Sequence, residues 1–129
     1  MSRENVEVVR RMYEAFHGGD AQGALAFFDA DVVADASRRI DGATGRGPQE
    51  LATIIAQWVQ TFEEWREEIE EMRDHSDRVL VVATQAGRGK ASGVEVETRY
   101  TVVYEVRGDK ITRMTLYGEP AEAVEAEGL

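Results

Sequence analysis

The sequence predicts one α+β domain in which helices come first along the chain and an antiparallel sheet follows. Apolar residues recur at helical spacing in the first half of the chain, whereas a long hairpin at residues 78–107 and a strand at residues 110–117 lie in the second half. The chain has 129 residues, 43% of them hydrophobic, and contains no internal repeat or linker. We therefore expect residues 1–129 to form a single domain with one core.

The first two helices are predicted from their apolar spacing and from their ends. The apolar residues of the first helix are Val6, Val9, Met12, Tyr13 and Phe16. Gly18 and Gly19 end this helix, and Asp20 is placed to cap a second, shorter one. His17 is interpreted as structural, because a cation is favoured at the end of a helix. A short strand at residues 32–36 follows.

A third helix is predicted after the polar loop of residues 37–46. Pro48 fits the first turn of a helix, where its missing N–H group costs nothing. The apolar stripe of this helix consists of Leu51, Ile54, Ile55, Trp58 and Phe62. This stripe is the clearest helical pattern in the chain.

Residues 63–73 fit two kinds of element. Their glutamate and arginine content favours a helix. Trp65 and Ile69 would also share one face of a strand, and Glu67 and Glu71 would lie on that face as well. The acidic side chains of this segment are interpreted as a solvated surface.

The predicted hairpin has a turn at residues 91–93, which sets its register. Val81 then lies opposite Val103, and Gln85 lies opposite Arg99. One face mixes apolar with polar side chains: Val79, Val81, Ala83, Gln85, Arg99, Thr101, Val103 and Glu105. Such a mixture is typical of a cavity that holds a ligand.

The other face of the predicted hairpin is apolar nearly throughout. Its side chains are Leu80, Val82, Thr84, Ala86, Val96, Tyr100, Val102, Tyr104 and Val106. Exposing the large apolar ones would cost roughly 2 kcal/mol each, so this face requires a cover. We expect a homodimer formed through Val82, Tyr100, Val102 and Tyr104. Residues 119–129 are predicted to form a short acidic helix or a loose tail.

Composition and charge disfavour several classes of partner. The formal net charge is −10 and the isoelectric point is near 4.7, which argues against binding to nucleic acid or to anionic membranes. The chain has no cysteine and only two histidines, so neither a metal site nor a cofactor is predicted. No segment has the composition of a signal peptide or a membrane span, and we expect a cytoplasmic protein.

Four short segments carry a resemblance to a known family. They are residues 13–20, 29–32, 47–51 and 108–111, with the sequences YEAFHGGD, DADV, GPQEL and GDKI. In order and spacing they look like the SnoaL-like branch of the NTF2-like superfamily, which includes ketosteroid isomerases, polyketide cyclases, scytalone dehydratases and limonene epoxide hydrolases. The resemblance implies a cone, in which a strongly curved antiparallel sheet wraps around three N-terminal helices and encloses an internal pocket. It also implies that residues 63–72 form a strand.

The catalytic residues of these relatives are not retained. Ketosteroid isomerases use a tyrosine, an aspartate base and a protonated aspartic acid. By resemblance, these three positions fall on Met12, Ala36 and Thr101. Asp35 and Tyr13 are each one residue away from such a position. The pair that epoxide hydrolases use, two residues apart on one strand face, would fall on Arg99 and Thr101, but its acid is missing.

The predicted pocket combines helix residues with residues of the sheet. It comprises Met12, Phe16, Phe28, Ala36, Ile54, Ile55, Trp58, Arg99, Thr101, Val103, Met114 and Leu116. The candidate catalytic residues are Arg99, Glu105, Asp35 and Tyr13. Arg99 would hold a carboxylate or an oxyanion if it is desolvated, or would meet solvent at the open end. Glu105 is either a buried base or an exposed partner of Arg107 or Arg113.

Three functions are compatible with the sequence. The first is a protein that binds a small apolar molecule without chemistry, and the missing acid and base favour it. The second is an enzyme, an isomerase, cyclase, dehydratase or epoxide hydrolase, acting on a small apolar or polycyclic substrate. The third is a dimeric association module whose cavity is vestigial.

Overall fold

The helices and strands of the computed structural model, which describes residues 2–38 and 43–129, follow the predicted α+β order. The elements are α1 (Ser2–His17), α2 (Ala21–Leu25), β1 (Phe28–Asp35), β2 (Thr44–Arg46), α3 (Gly47–Val59), β3 (Phe62–His75), β4 (Arg78–Gly89), β5 (Glu95–Arg107), β6 (Lys110–Tyr117) and α4 (Pro120–Glu127). Residues 39–42 of the predicted polar loop lie outside the described residues. Among the described helices, none is long and apolar enough to span a bilayer.

The helix ends follow from the local sequence. α1 ends before Gly19, whose φ of +87° lies in the left-handed region that favours glycine. The side chain of Asp20 caps α2 by accepting a hydrogen bond from the backbone N–H of Gly23 at 2.8 Å. Pro48 lies in the first turn of α3, as predicted. This helix is shorter than its apolar stripe indicates, because Phe62 begins β3.

The six strands form one curved, open sheet in the order β2-β1-β6-β5-β4-β3. β1 and β6 run parallel, and the other neighbouring pairs run antiparallel. We call the face that packs on α1, α2 and α3 the inner face, and the opposite one the outer face. The main apolar core lies between the inner face and these three helices. The fold is the α+β cone that the family resemblance implies.

β3 is a strand despite its helical composition. Trp65, Glu67 and Ile69 alternate with exposed residues, as one face of a strand does. A bulge between Ile69 and Glu71 then interrupts the pairing with β4. Because the bulge inserts one residue, Glu71 turns to solvent although it lies two positions beyond Ile69 in the sequence.

The register of the hairpin formed by β4 and β5 differs by one residue from the predicted one. The backbone N–H of Gly89 donates to the carbonyl oxygen of Val94 at 3.0 Å, so four residues form the turn instead of three. Val81 consequently lies opposite Val102. Since side chains alternate with period two, this shift moves every side chain of β5 to the face opposite to the predicted one. The prediction is therefore right for β4 and wrong for β5.

α4 covers the outer face of the hairpin. The apolar cluster under it consists of Leu80, Val82, Val103, Tyr117 and Ala123, with Val124 and Leu129 packed against them. Nη1 of Arg78 donates to the carbonyl oxygen of Glu127 at 2.6 Å, and the hydroxyl of Tyr117 donates to the Glu127 carboxylate. The sequence requires a cover for this face, and residues of the same chain supply part of it.

The four residues predicted for a dimer interface do not share a face. Val82 lies under α4, whereas Tyr100, Val102 and Tyr104 belong to the inner core. The physical reason is again the register of β5, which turns these three side chains toward the helices. Homodimerisation itself stays a prediction, but this set of residues cannot form the interface.

Candidate functional site

A cavity of about 720 Å³ lies between the inner face of the sheet and helices α1, α2 and α3. All three helices contribute apolar side chains to its wall, among them Phe16, Leu25, Ile55 and Val59. Its volume falls in the range of roughly 300 to 1,000 Å³ that is typical of small-molecule sites. The cavity is therefore large enough for one small organic molecule.

Aromatic side chains form much of the cavity wall. Trp58, near the end of α3, contacts Tyr100 of β5 edge to face, with ring centroids 5.0 Å apart. Phe16 contacts Trp65 of β3 in the same way at 5.8 Å. The indole N–H of Trp65 donates to Oε1 of Gln85 at 2.9 Å, and Gln85 is only 5% exposed. This hydrogen bond fixes the orientation of the indole in the wall.

Two tyrosine hydroxyl groups meet at the cavity wall. The hydroxyl oxygens of Tyr13 and Tyr104 are 2.6 Å apart, and both side chains are buried. Burial raises the pKa of each phenol well above its ordinary value. Both phenols are therefore protonated at neutral pH. One hydroxyl hydrogen lies between the two oxygens, which leaves the hydrogen of the accepting phenol for a ligand.

Glu67 of β3 adds a carboxylate to the same wall. Its side chain is only 6% exposed, and its Oε1 lies 2.9 Å from Nε2 of His17 at the end of α1. Burial raises the pKa of Glu67, and the hydrogen bond with His17 opposes part of this effect. The charge of Glu67 also raises the pKa of Tyr13 and of Tyr104. These four residues interact electrostatically, and we call them the polar cluster.

Arg66 is the remaining charged residue among the described residues that line the cavity. Its side chain is 59% exposed, and its Nη2 lies 3.2 Å from Oε1 of Glu95 on β5. The guanidinium is therefore at the rim, in solvent and beside a carboxylate. Glu67, by contrast, is shielded from solvent. Within the described part of the chain, the interior of the cavity thus has a buried carboxylate and no buried guanidinium or ammonium.

The polar cluster combines two chemical abilities. A carboxylate whose pKa is raised by burial is a stronger proton acceptor when ionised, which suits a general base. A phenol pair with one available hydrogen can hold a carbonyl oxygen or a developing oxyanion. The apolar surroundings strengthen both effects, because electrostatic interactions are less screened there than in water.

The predicted pocket residues fall into three groups. Those that line the cavity are Met12, Phe16, Phe28, Ile55, Trp58 and Met114. Those that border a separate cleft of only about 10 Å³ are Ala36, Ile54 and Leu116, although Ile55, Trp58 and Met114 border it as well. The prediction was wrong for Arg99, Thr101 and Val103, which the register of β5 places on the outer face. Thr101 is fully buried there and donates to the carbonyl oxygen of Gly118, and Val103 lies under α4.

Two of the candidate catalytic residues have opposite placements. Tyr13 lines the cavity and belongs to the polar cluster. Arg99 is 50% exposed on the outer side, where its Nε lies 3.3 Å from Oε2 of Glu70. The expectation that Arg99 holds a carboxylate in the pocket is therefore wrong. Arg99 meets solvent, as the alternative expected, but on the outer side of the sheet and not at the open end of the pocket.

The other two candidate catalytic residues lie together on the outer side. Oε2 of Glu105 is 3.9 Å from Nε of Arg113, as the interpretation of Glu105 as an ion-pair partner predicts. Asp35 accepts a hydrogen bond from the hydroxyl of Ser37 at 2.6 Å, and this bond lowers the pKa of Asp35. A carboxylate with a lowered pKa is a weak proton acceptor, so Asp35 is a poor candidate for a base.

Sequence reasoning missed three members of the polar cluster. His17 was interpreted as structural, Glu67 as solvated and Tyr104 as part of the dimer face. A signal for Glu67 was present, because it shares a strand face with Trp65 and Ile69, and an acid between two inward apolar residues must itself be inward. No comparable signal existed for Tyr104, since its face depends on the length of the turn.

The curved sheet, the three helices and the cavity between them define a cone-shaped α+β protein of the NTF2-like class. Within this class, the chain belongs to the SnoaL-like domain family, which it matches over residues 9–114. None of the curated proteins matches its sequence.

Three solved structures illustrate the similarity. A proposed SnoaL-like polyketide cyclase from Jannaschia sp. CCS1 is 16% identical over 97% of this chain and 91% of that chain, with a TM-score of 0.79. TerC, co-crystallised with polyporic acid, is 21% identical over 95% of this chain and 96% of that chain, with a TM-score of 0.76. A protein with a ketosteroid isomerase-like fold from Catenulispora acidiphila DSM 44928, in complex with trimethylamine, is 21% identical over 95% of this chain and 93% of that chain, with a TM-score of 0.74. At these identities, what the proteins share is the fold.

Proposed function

We propose that this protein binds one small, largely apolar molecule in the cavity beneath the sheet. The observation that carries the proposal is the cavity of about 720 Å³, whose wall is mainly apolar and aromatic and whose charged side chains, among the described residues, are confined to the polar cluster and to Arg66 at the rim. Apolar walls supply affinity, and a few placed polar groups supply orientation. A bound molecule would present its polar atom to Tyr13, Tyr104 and Glu67 and bury its apolar part against Phe16 and Trp58.

The solved structures support binding as a use of this fold. TerC was crystallised with polyporic acid, and the Catenulispora acidiphila protein with trimethylamine. These two compounds differ in size and chemistry. We therefore infer the ligand of this protein from its own cavity residues and not from the fold.

Thermal denaturation against a panel of neutral, acidic and amine-bearing aromatic compounds tests the proposal. A compound at about 100 times its dissociation constant should stabilise the protein by roughly 2.7 kcal/mol, visible as a raised melting temperature. Ala52→Phe fills the cavity from α3 and should abolish the shift. Gln57→Phe adds the same ring at an exposed position of the same helix and should leave the shift intact. If no compound shifts the melting temperature, the proposal fails and the association module is favoured.

Proton transfer is a second candidate function, and the position of Glu67 beside the phenol pair favours it. Glu67 would accept a proton from a carbon next to a carbonyl group. At the same time, the hydroxyl hydrogen that the Tyr13–Tyr104 pair leaves available would be donated to the carbonyl oxygen. Nuclear magnetic resonance can follow exchange of such protons for deuterium in cyclic ketones. Glu67→Gln should slow exchange by about 10² to 10⁴. Glu68→Gln, on the exposed side of the same strand, should not. Exchange that is no faster than in buffer would exclude this function for those ketones.

A further inference from the structure

We infer that the cavity selects hydrophobic cations, namely small tertiary or quaternary ammonium compounds, over neutral and acidic molecules of the same shape. The inference rests on the proposed binding function and adds the charge of the ligand to it. It reverses the preference for acids that the predicted position of Arg99 implied, because Arg99 lies on the outer side of the sheet.

The sign of the buried charge is the first argument. The side chain of Glu67 is 6% exposed and faces the cavity. The side chain of its partner His17 is 33% exposed and lies at the edge of the cavity. The guanidinium of Arg66 is directed to Glu95 at the rim and is 59% exposed. A ligand that enters the cavity therefore meets a desolvated carboxylate and no desolvated guanidinium. Burial raises the pKa of Glu67, and the hydrogen bond with His17 offsets only part of this effect. A bound cation would therefore stabilise the ionised carboxylate further, and a bound anion would destabilise it.

The aromatic wall is the second argument. The rings that line the cavity are Tyr13, Phe16, Phe28, Trp58, Trp65, Tyr100 and Tyr104. Aromatic rings attract cations through the negative charge of their faces, and tryptophan does so best. Quaternary ammonium groups are favoured ligands for such walls, because they are weakly hydrated and their methyl groups bury apolar surface. The faces of these rings give no equivalent advantage to a carboxylate, for which the Tyr13–Tyr104 pair leaves one phenol hydrogen available.

The charge of the whole chain acts in the same direction. The formal net charge is −10, so cations are concentrated near the protein at low ionic strength and anions are depleted. This contribution is screened by salt, whereas the attraction of buried Glu67 is screened much less. Salt dependence can therefore separate a surface effect from selection within the cavity.

Three matched probes test the inference: benzyltrimethylammonium, its neutral carbon isostere neopentylbenzene, and the anion phenylacetate. The chain has two tryptophans, Trp58 and Trp65, and both line the cavity, so intrinsic fluorescence reports occupancy directly. We expect benzyltrimethylammonium to bind at least about tenfold more tightly than neopentylbenzene. Phenylacetate should bind most weakly. The order should persist in 0.5 M salt, at roughly a 4 Å Debye length.

Variants locate the origin of the preference. Glu67→Gln should reduce the preference for the cation over the isostere, measured as the ratio of their two dissociation constants on the same variant, by about tenfold. Glu68→Gln removes the same charge from an exposed position of β3 and should preserve the preference. If Glu67→Gln does not fold, the comparison of the three probes on the unmodified protein still decides the question.

The outcomes separate this inference from the proposed function. If neopentylbenzene binds and benzyltrimethylammonium binds no more tightly, the inference is overturned while binding stands. Tighter binding of phenylacetate also overturns it. If none of the three probes changes the fluorescence, and the wider panel does not shift the melting temperature, the binding function itself fails. If the preference for the cation disappears in 0.5 M salt, its cause is surface charge, and the inference that the cavity selects cations is overturned.

Discussion

The two faces of the sheet are built from the same strands and are covered in different ways. On the inner face, three helices span a concave surface and leave a cavity of about 720 Å³. On the outer face, one short helix, α4, packs directly on Leu80, Val82 and Val103. Straight helices cannot follow a concave surface along its whole width, so a space remains at the inner face, whereas α4 packs directly against the apolar cluster of the outer face. The carboxyl group of Glu67 and the phenol of Tyr104 lie on the inner side, where burial raises the pKa of each.

Removing α4 should have the largest effect, because it exposes the outer apolar cluster. Truncation after Glu119 uncovers the four large side chains of Leu80, Val82, Val103 and Tyr117. Losing roughly half of their burial, at about 2 kcal/mol for each fully buried side chain, lowers the free energy of unfolding by about 4 kcal/mol. Denaturant unfolding measures the loss. Ala123→Asp should release the helix in the full-length chain, whereas Ala121→Asp, at an exposed position, should not. An unchanged free energy of unfolding after truncation would show that α4 is not a structural cover.

Sedimentation of the same proteins tests self-association. The exposed outer face of the truncated chain should associate with other copies, since large apolar patches rarely remain bare. The predicted homodimer of the full chain would have twice the chain mass of 14.4 kDa. If truncated and full-length chains sediment alike, the covering role of α4 has no bearing on association.

On the inner face, the phenol pair should show strong coupling. Tyr104→Phe leaves the hydroxyl of Tyr13 buried without its partner, and we expect a loss of about 1 to 2 kcal/mol in the free energy of unfolding. Tyr13→Phe should cost a similar amount. The double variant should cost less than the sum, because it leaves no unpaired hydroxyl. Additive losses in this double-mutant cycle would contradict a direct bond between the two groups.

The two faces should respond to pH in opposite directions. The pKa of Glu67 is raised above 4.5, so the folded state binds its proton more readily and loses stability as pH rises through the folded pKa. The pKa of Asp35 is lowered below 3.8, so its contribution is present above that value and is lost as pH falls through the folded pKa. Relative to the wild type, the free energy of unfolding of Glu67→Gln should therefore increase on going from about pH 4.5 to neutral pH. Asp35→Asn should be less stable than the wild type at neutral pH, and this difference should disappear as the pH falls below about 3.8. Parallel pH profiles for the two variants would refute the assignment.

Arg99→Ala should have the smallest effect. Its pair with Glu70 is half-exposed, and such pairs contribute roughly 0 to 1 kcal/mol. Because Arg99 lies outside the cavity, ligand affinities should be unchanged for acids and amines alike. A selective loss of affinity for acids in the fluorescence titration would mean that Arg99 reaches the ligand after all.

The sequence predicted the elements far better than it predicted their faces. Local signals place α2 and α3, since the side chain of Asp20 and the ring of Pro48 act within one turn of the chain. The face of β5 depends on whether the turn has three residues or four, and composition does not distinguish the two. A single residue there moves Arg99 out of the predicted pocket and moves Tyr104 into the cavity. Half of the predicted pocket was nevertheless placed correctly at the cavity, because most of those residues belong to helices.

Glu67 shows a different limit of prediction. Composition describes β3 as a whole, whereas burial is decided one side chain at a time by the alternation of the strand. The bulge after Ile69 then sends Glu71 to solvent and leaves Glu67 inside. A bulge is set by pairing with a distant strand, so the local alternation indicates that Glu67 is inward but does not reveal that Glu71, on the same predicted face, is exposed.

Among the described strands, β3 has one neighbour in the sheet, β4, so the other side of this 14-residue strand offers unpaired backbone donors and acceptors to any other extended chain. Long open edges of this kind are templates for amyloid-like growth. The strand carries six glutamates in the sequence FEEWREEIEEMRDH, and two register shifts interrupt its regularity. Like charges on approaching copies repel, and an irregular edge cannot align over its full length. The glutamates of β3, whose composition favours a helix in the sequence, thus disfavour edge-to-edge pairing of copies in the folded protein.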